Sequence, residues 1–182
     1  MEKENSLIKY SVNIVIADDS LMKILNKIDK LYYLILLFKQ VYITETIKKK
    51  SKFITPPWMM IGEPAKELKY LISSVDIDKG EISAVGLVIE LEILQKYNII
   101  KNNQYLLLVD KKIKKTKITE EYSIDCIDLC DIFHLAYSRK LFTKEEGIEI
   151  FNKMKKLGKV YSKKDLNYIF NEEVSKKTTI KE

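Results

Sequence analysis

Two aspartates end apolar runs in this chain, and a glutamate begins a third. Asp18 follows Val12-Asn13-Ile14-Val15-Ile16-Ala17, and Asp110 follows Tyr105-Leu106-Leu107-Leu108-Val109. Glu81 stands at the start of a long apolar stretch between them. Val, Ile and Leu runs of this length read as strands buried on both faces, as in a parallel sheet. Open α/β sheets bind their ligands outside the carboxyl ends of the strands. Acids delivered there from distant parts of a sequence repel one another. Two unit charges about 4 Å apart, at an effective dielectric near 20, interact by roughly 4 kcal/mol. A hard divalent cation such as Mg2+ or Mn2+ relieves that repulsion through oxygen ligands. Without one, at least one carboxyl must have a raised pKa. Each acid also has a plainer use. Asp18 and Asp19 can cap a helix beginning near Ser20. Glu81 can complement a helix dipole, and Asp110 can cap a strand-to-helix turn.

The elements that would position these acids follow from the pattern of apolar residues. Val12–Ala17 predicts strand one. Ser20–Lys27 predicts a short helix and Lys30–Phe38 a second, with Leu31, Leu34, Ile35 and Phe38 on one face. Val41–Ile43 predicts strand two, with a helix beginning at Thr44–Lys50. Phe53–Met60, with Pro56-Pro57-Trp58, reads as a loop. Residues 63–72 predict a helix leading to an extended piece near Ile72–Val75. Asp78-Lys79-Gly80-Glu81 opens a mostly buried helix to about Tyr97. Gln104–Val109 predicts a strand, Lys111–Glu121 a basic helix, Ser123–Ile127 a short strand and Leu129–Lys140 a helix. Thr143 and Glu146 form a capping-box signature for a helix to Leu157, and Ser162 caps a last helix ending near Val174. Strands alternating with helices predict an α/β fold with a mainly parallel sheet.

At 182 residues the chain predicts one domain spanning 1–182, with a core over about 12–174 and a polar tail at 175–182. Only 5 Gly and 3 Pro favour long regular elements. The net charge is +6, and its distribution matters more than its sum. Lys48, Lys49, Lys50 and Lys52 form one run. Lys111, Lys112, Lys114, Lys115 and Lys117 form another, directly after Asp110. A third spans Lys153 to Lys164. Any one run alone reads as a solvated helix face. Two runs beside candidate carboxylates suit a polyanion drawn in by Lys. Two Cys residues make no disulfide framework. The longest apolar stretch, Leu31 to Phe38, is too short to span a bilayer, so no membrane partner is expected. The polar N-terminus predicts a cytoplasmic protein. Cys126, Cys130 and His134 share a spacing of four, but a strand-to-helix junction interrupts them. They read as packed residues, and Trp58 as a cover for a core edge.

Taken together, four stretches of this chain resemble the PIN-domain family of metal-dependent ribonucleases, closest to its PIN-like bacterial and archaeal members. Ile16-Ala17-Asp18-Asp19-Ser20, followed by Leu25, Ile28, Leu31 and Leu34, is similar to the family's opening strand, first acid and amphipathic helix. Asp78-Lys79-Gly80-Glu81-Ile82-Ser83-Ala84-Val85 resembles its acid-bearing Gly-Glu helix start. Leu106-Leu107-Leu108-Val109-Asp110-Lys111 is similar to the strand ending in another acid. Lys153–Phe170 resembles the C-terminal helix pair. The resemblance implies a three-layer α/β/α fold with a mainly parallel central sheet. It implies a divalent-metal-dependent endoribonuclease, a toxin or an RNA-processing nuclease, with Asp18, Glu81 and Asp110 as catalytic and metal-ligating acids holding Mg2+ or Mn2+. Asp19 or Ser20 would hold a metal-bound water, and Asp128 would support the site. Lys48, Lys49, Lys50, Lys111 and Lys112 would meet RNA. A protein antitoxin is the partner implied for a toxin, and a homodimer is compatible with it.

The departures are as informative. After Val41-Tyr42-Ile43-Thr44-Glu45-Thr46-Ile47, the family's acid falls on Lys50. Leu21 stands where a Pro is usual, and Asp128-Leu129 where a Gly-Thr pair is usual. An acid-to-Lys exchange alters the local charge by two units, which Glu45 or Asp128 could offset in part. The alternative is a catalytically impaired PIN-like module that binds RNA or a protein partner. A third class, a small phosphate-ester hydrolase, would need a narrow, deep pocket.

Overall fold

In the computed structural model, residues 14–51, 54–72, 78–100, 105–110 and 117–170 are described. The two apolar runs become β1 (Ile14–Ala17) and β4 (Tyr105–Leu108), and every residue of both is buried. Fully burying a Leu or Ile side chain is worth about 1.5–3 kcal/mol. These two runs thus supply the centre of the core. They pair in parallel, with Ile14 opposite Tyr105 and Ala17 opposite Leu108. β2 (Gln40–Thr44) lies on the other side of β1, also parallel. The edges are β3 (Met60–Gly62) beside β2 and β5 (Cys126–Ile127) beside β4. The sheet is therefore all parallel, in the order β3-β2-β1-β4-β5.

Nine helices connect and cover the strands among the described residues. They are α1 (Asp19–Lys27), α2 (Tyr33–Leu37), α3 (Glu45–Ser51), α4 (Lys66–Ile72) and α5 (Lys79–Lys96). After β4 come α6 (Lys117–Glu121), α7 (Leu129–Ser138), α8 (Lys144–Lys156) and α9 (Lys163–Ile169). The connections from β1 to β2 and from β3 to β4 run in opposite directions across the sheet. Parallel crossovers are right-handed, so such connections cover opposite faces and give three layers. α5 packs on β1, β2 and β4, while α2 packs on α7 and α7 on α9. The first half of α5 is buried from Ser83 to Ile89, which accounts for its almost uninterrupted apolar sequence.

Several sequence expectations need correction. The third strand is Met60–Gly62, which the sequence placed in a loop and its end. It is an edge strand with Met60 and Ile61 exposed at 43% and 44%, so it carries no alternation that marks burial. Ile72, expected to open an extended piece, instead ends α4, and the remainder of that piece lies outside the described residues. Lys30–Phe38 is helical only over Tyr33–Leu37, with a turn before it. The capping box at Thr143/Glu146 forms as expected, and Ser162 caps α9 as expected, with Asp165 completing a box there. The expected lead-in, the 111–116 part of the basic helix and the tail lie outside the described residues.

Candidate active site

The sheet order makes β1 the strand at which the connections reverse direction. Asp18 stands at its carboxyl end, beside the end of β4. Its backbone N–H donates to Leu108 O at 2.9 Å, which ties it to the neighbouring strand. Its side chain caps α1, accepting the Ser20 N–H at 3.3 Å and the Ser20 hydroxyl. The capping role is therefore real. Yet Asp18 is only 4% exposed, far more buried than a helix cap requires. Burial pushes its carboxyl up from the ordinary value, and the negative charge of Asp78 adds to the rise. Next to it, Asp19 is also buried. One oxygen meets Lys23 Nζ at 2.7 Å, and the other, Oδ1, is buried with no hydrogen-bond partner.

Asp78 and Glu81 enter from the first turn of α5, as a reciprocal capping box. Asp78 Oδ1 accepts the N–H groups of Gly80 at 2.6 Å and Glu81 at 3.1 Å, and Glu81 accepts the Asp78 N–H at 2.8 Å. Burial pushes Glu81 up, and the charges of Asp78 and Asp18 push it further against the Asp78 N–H bond and Lys50. Glu81 thus lies in the field of Asp18. Gly80 is buried in this turn, and a Cβ there would lie 3.1 Å from Asp78 Oδ1. The same Cβ would lie 3.4 Å from Ile47 and 3.8 Å from Lys50 Nζ.

Lys50 occupies the centre of this half. Its ammonium meets Asp78 Oδ2 at 2.6 Å, and that bond, with the fields of Asp78, Asp19 and Asp18, holds its pKa up. Burial would raise Asp78, but the Lys50 bond and the backbone N–H groups outweigh it and hold it down. Both side chains are about half exposed, at 45% and 50%, so the pair itself contributes only about 0–1 kcal/mol. Its importance is positional, because it places a cation among four acids.

Asp110 faces a second group. Lys159 Nζ donates to Asp110 Oδ2 at 3.0 Å. The two border a cavity of about 130 Å3, which Asp128, Tyr161 and Asp165 also line. That is room for a few water molecules or a group of similar bulk. Asp128 caps α7 through the N–H groups of Cys130 at 2.8 Å and Asp131 at 3.3 Å. Burial, and then the charges around it, push the Tyr161 hydroxyl well above its ordinary value.

Donor chemistry fits a hard divalent ion. Asp18 and Glu81 are carboxylates held up by burial and by like charges, and Asp19 Oδ1 is an orphaned buried oxygen. The assembled ligand number is smaller than such an ion takes. Among the described residues, no three His, Cys, Asp or Glu side chains stand together as one ion-holding group. Lys48 and Lys49 are exposed on α3, with Lys49 3.7 Å from Glu45. Lys111 and Lys112 lie outside the described residues. Cys126 sits in β5, whereas Cys130 and His134 are buried in α7, and the two Cys are not joined in a disulfide. The His134 ring stacks on Tyr168 at 4.6 Å and its Nδ1 lies 2.8 Å from Tyr168 O.

Sequence reasoning missed Asp78, Lys159, Asp165 and Glu63. Asp78 was legible as a cap, since Asp-x-x-Glu before an apolar run is a helix-start signature, but not as a site charge. Glu63 was hidden with the strand it follows, β3. It accepts from Thr46 N at 3.0 Å, Thr46 Oγ1 at 2.7 Å, Ser83 Oγ at 3.1 Å and Lys69 Nζ. Burial alone would raise its pKa, but the bonds from Lys69 and Thr46 prevail and hold it at about 2.

Fold and site together define an all-parallel, three-layer α/β protein with a carboxylate crevice at its topological switch point. Compared with protein-family models, curated proteins and solved structures, the chain matches none. Among the described residues no helix is long and apolar enough to cross a membrane.

Proposed function

We propose that this chain is a PIN-like endoribonuclease that uses a divalent metal, Mg2+ or Mn2+. The observation that carries the reading is the buried Asp18 carboxyl, whose charge acts on Glu81, beside the orphaned Asp19 oxygen and one strand from Asp110. Such raised carboxyls in a cleft are candidates for function. Asp18 and Glu81 would hold the ion, with Asp110 contributing from the end of β4. The ion would supply relief of charge on the phosphodiester and an activated water. The chain's own groups do the rest. Ser20 orients Asp18 through its hydroxyl, the α5 capping box fixes Glu81, and Lys48 and Lys49 present cations to phosphates. Lys159 holds Asp110 beside the cavity.

A second reading has a specific observation in its favour. Lys50 stands where the resembled family carries an acid, and it is paired with Asp78 at 2.6 Å. A site partly offset by its own ammonium suits an impaired module that binds RNA or a protein without cleaving. The test is cleavage of single-stranded RNA with Mn2+, Mg2+ or EDTA by the parent and by Asp18→Asn. Weak cleavage is expected, stronger with Mn2+, which binds N/O sites more readily than Mg2+, and absent from the variant. Cleavage surviving in Asp18→Asn would remove this site from the reaction. RNA binding without cleavage would select the second reading.

A further inference from the structure

Beside the carboxylate crevice lies a groove of about 370 Å3, lined by Thr46, Lys66, Lys69, Tyr70, Lys79 and Ile82. Its size is within the range of about 300–1,000 Å3 usual for ligand pockets. Three elements build it: α3 supplies Thr46, α4 the next three residues, and α5 the last two. Two of the same elements also carry site residues, α3 Lys50 and α5 Glu81. Thr46 and Lys50 are one helical turn apart on α3, on one face. Lys79 directly follows Asp78, the partner of Lys50.

The groove's charge is uneven. Lys69 is committed to Glu63. Lys66 and Lys79 are exposed and make no ion pair among the described residues, so they carry the field of the groove. In the same groove Tyr70 is 83% exposed. Cations and an exposed ring in one groove are the parts of a single-strand platform, in which lysines follow the phosphates and a base stacks on the ring. A duplex keeps its bases stacked inside and gains nothing from Tyr70. An acidic peptide leaving the groove would run into Asp18, Asp78 and Glu81, whereas a phosphodiester strand would present there the group that the proposed ion accepts.

We infer that this groove is the track for single-stranded RNA leading into the crevice, with Lys66 and Lys79 as phosphate contacts and Tyr70 as a base-stacking platform. The inference rests on the ribonuclease reading for its substrate class, but it is tested without cleavage. A fluorescent oligouridylate is titrated with the full chain in EDTA, at several salt concentrations, and anisotropy is read. Each phosphate contact on a single strand contributes about 0.7 to the log–log salt slope. Combining Lys66→Ala with Lys79→Ala should therefore flatten the slope by about 1.4. Tyr70→Ala should weaken binding about tenfold, within the range for loss of one base stack, while Tyr70→Phe retains it. Lys153→Ala with Lys156→Ala, on α8, should bind as the parent does. Equal binding by the groove variants and the parent would overturn the track. So would duplex RNA that binds as tightly as the single strand and shows the same loss in Tyr70→Ala. Groove effects in EDTA with no cleavage in Mn2+ would leave the track standing and remove the nuclease. Cleavage that ignores all three residues would do the reverse.

Discussion

Asp18 and Glu63 are carboxylates just beyond the carboxyl ends of strands in one sheet, yet they are held in opposite ways. Glu63 follows the edge strand β3 and receives bonds from Lys69, Thr46 and Ser83, and those from Lys69 and Thr46 outweigh burial and keep it at about 2. Asp18 follows the central strand β1, is nearly sealed from solvent, and is pushed up by burial and by Asp78. Glu63 is a structural knot joining β3, α3 and α5, because every charge it carries is met. Asp18 is an acid whose charge is resisted by its surroundings. A downward shift from several donors stabilises a fold, whereas an upward shift from burial and like charge marks a place where a cation would be welcome.

The largest expected effect separates the two acids by activity. Asp18→Asn should abolish Mn2+-dependent cleavage, whereas Glu63→Gln should keep it, because Glu63 touches no part of the proposed ion site. Asn still caps a helix well, so Asp18→Asn should melt at or above the parent temperature. If Glu63→Gln is as dead as Asp18→Asn in a folded protein, the contrast between knot and site fails.

Lys50→Glu should sharpen the comparison. It removes the ammonium from among Asp18, Asp19, Asp78 and Glu81 and adds a fifth acid. Without metal the melting temperature should fall, since like charges are brought together. With Mn2+ it should recover, because an ion bound only by the folded state stabilises by mass action, about 2.7 kcal/mol at a hundredfold excess over Kd. Cleavage should rise several-fold over the parent. A variant that melts alike with and without Mn2+ would place position 50 away from any ion.

How much of this was legible follows from where each residue lies. β1 and β4 are buried on both faces, so their sequences are continuous apolar runs, and the acids that end them were visible at once. The caps at Asp18, Asp78, Thr143 and Ser162 were legible because capping is local. β3 was not, because an exposed three-residue edge strand has no period to detect. Glu63 disappeared with it, and so did the groove that α3, α4 and α5 build. Lys50 was read as an RNA contact or a missing ligand. Its ion pair with Asp78, across 28 positions, is a tertiary fact that no local pattern contains. Lys159 and Asp110, 49 positions apart, are hidden for the same reason.

A further stability effect belongs to Glu63 itself. Glu63→Gln replaces the acceptor of four hydrogen bonds with an amide that has one accepting oxygen and no charge to meet Lys69. Hydrogen bonds to charged groups are worth roughly 1.5–3 kcal/mol when buried, and the Glu63 side chain is 30% exposed. A loss of about 1 kcal/mol is therefore expected from urea unfolding at neutral pH. No loss would mean that the knot contributes nothing net.

The smallest effect is a pair of opposite slopes. Glu63 has a folded pKa of about 2 against an ordinary 4.5, so the folded chain binds its proton less readily than the unfolded chain. Its stabilisation is fully present above about pH 4.5 and is lost as pH falls toward 2. Asp18 and Glu81 are raised above their ordinary 3.8 and 4.5. Their contribution is fully present below those values and is lost as pH rises through the folded ones. Urea unfolding from about pH 3 to pH 7, without metal, should therefore show two trends. The deficit of Glu63→Gln should shrink with acid, and the advantage of Asp18→Asn should shrink with acid too, but for opposite reasons. The parent gains from protonating Asp18 and loses from protonating Glu63. Mn2+ separates the two. A held ion makes the charged Asp18 the favoured form, so near neutral pH the advantage of Asp18→Asn should reverse while the Glu63→Gln deficit stays fixed. If Mn2+ moves both differences equally, or neither, Asp18 is a buried cap like any other and the upward shift marks no cation site.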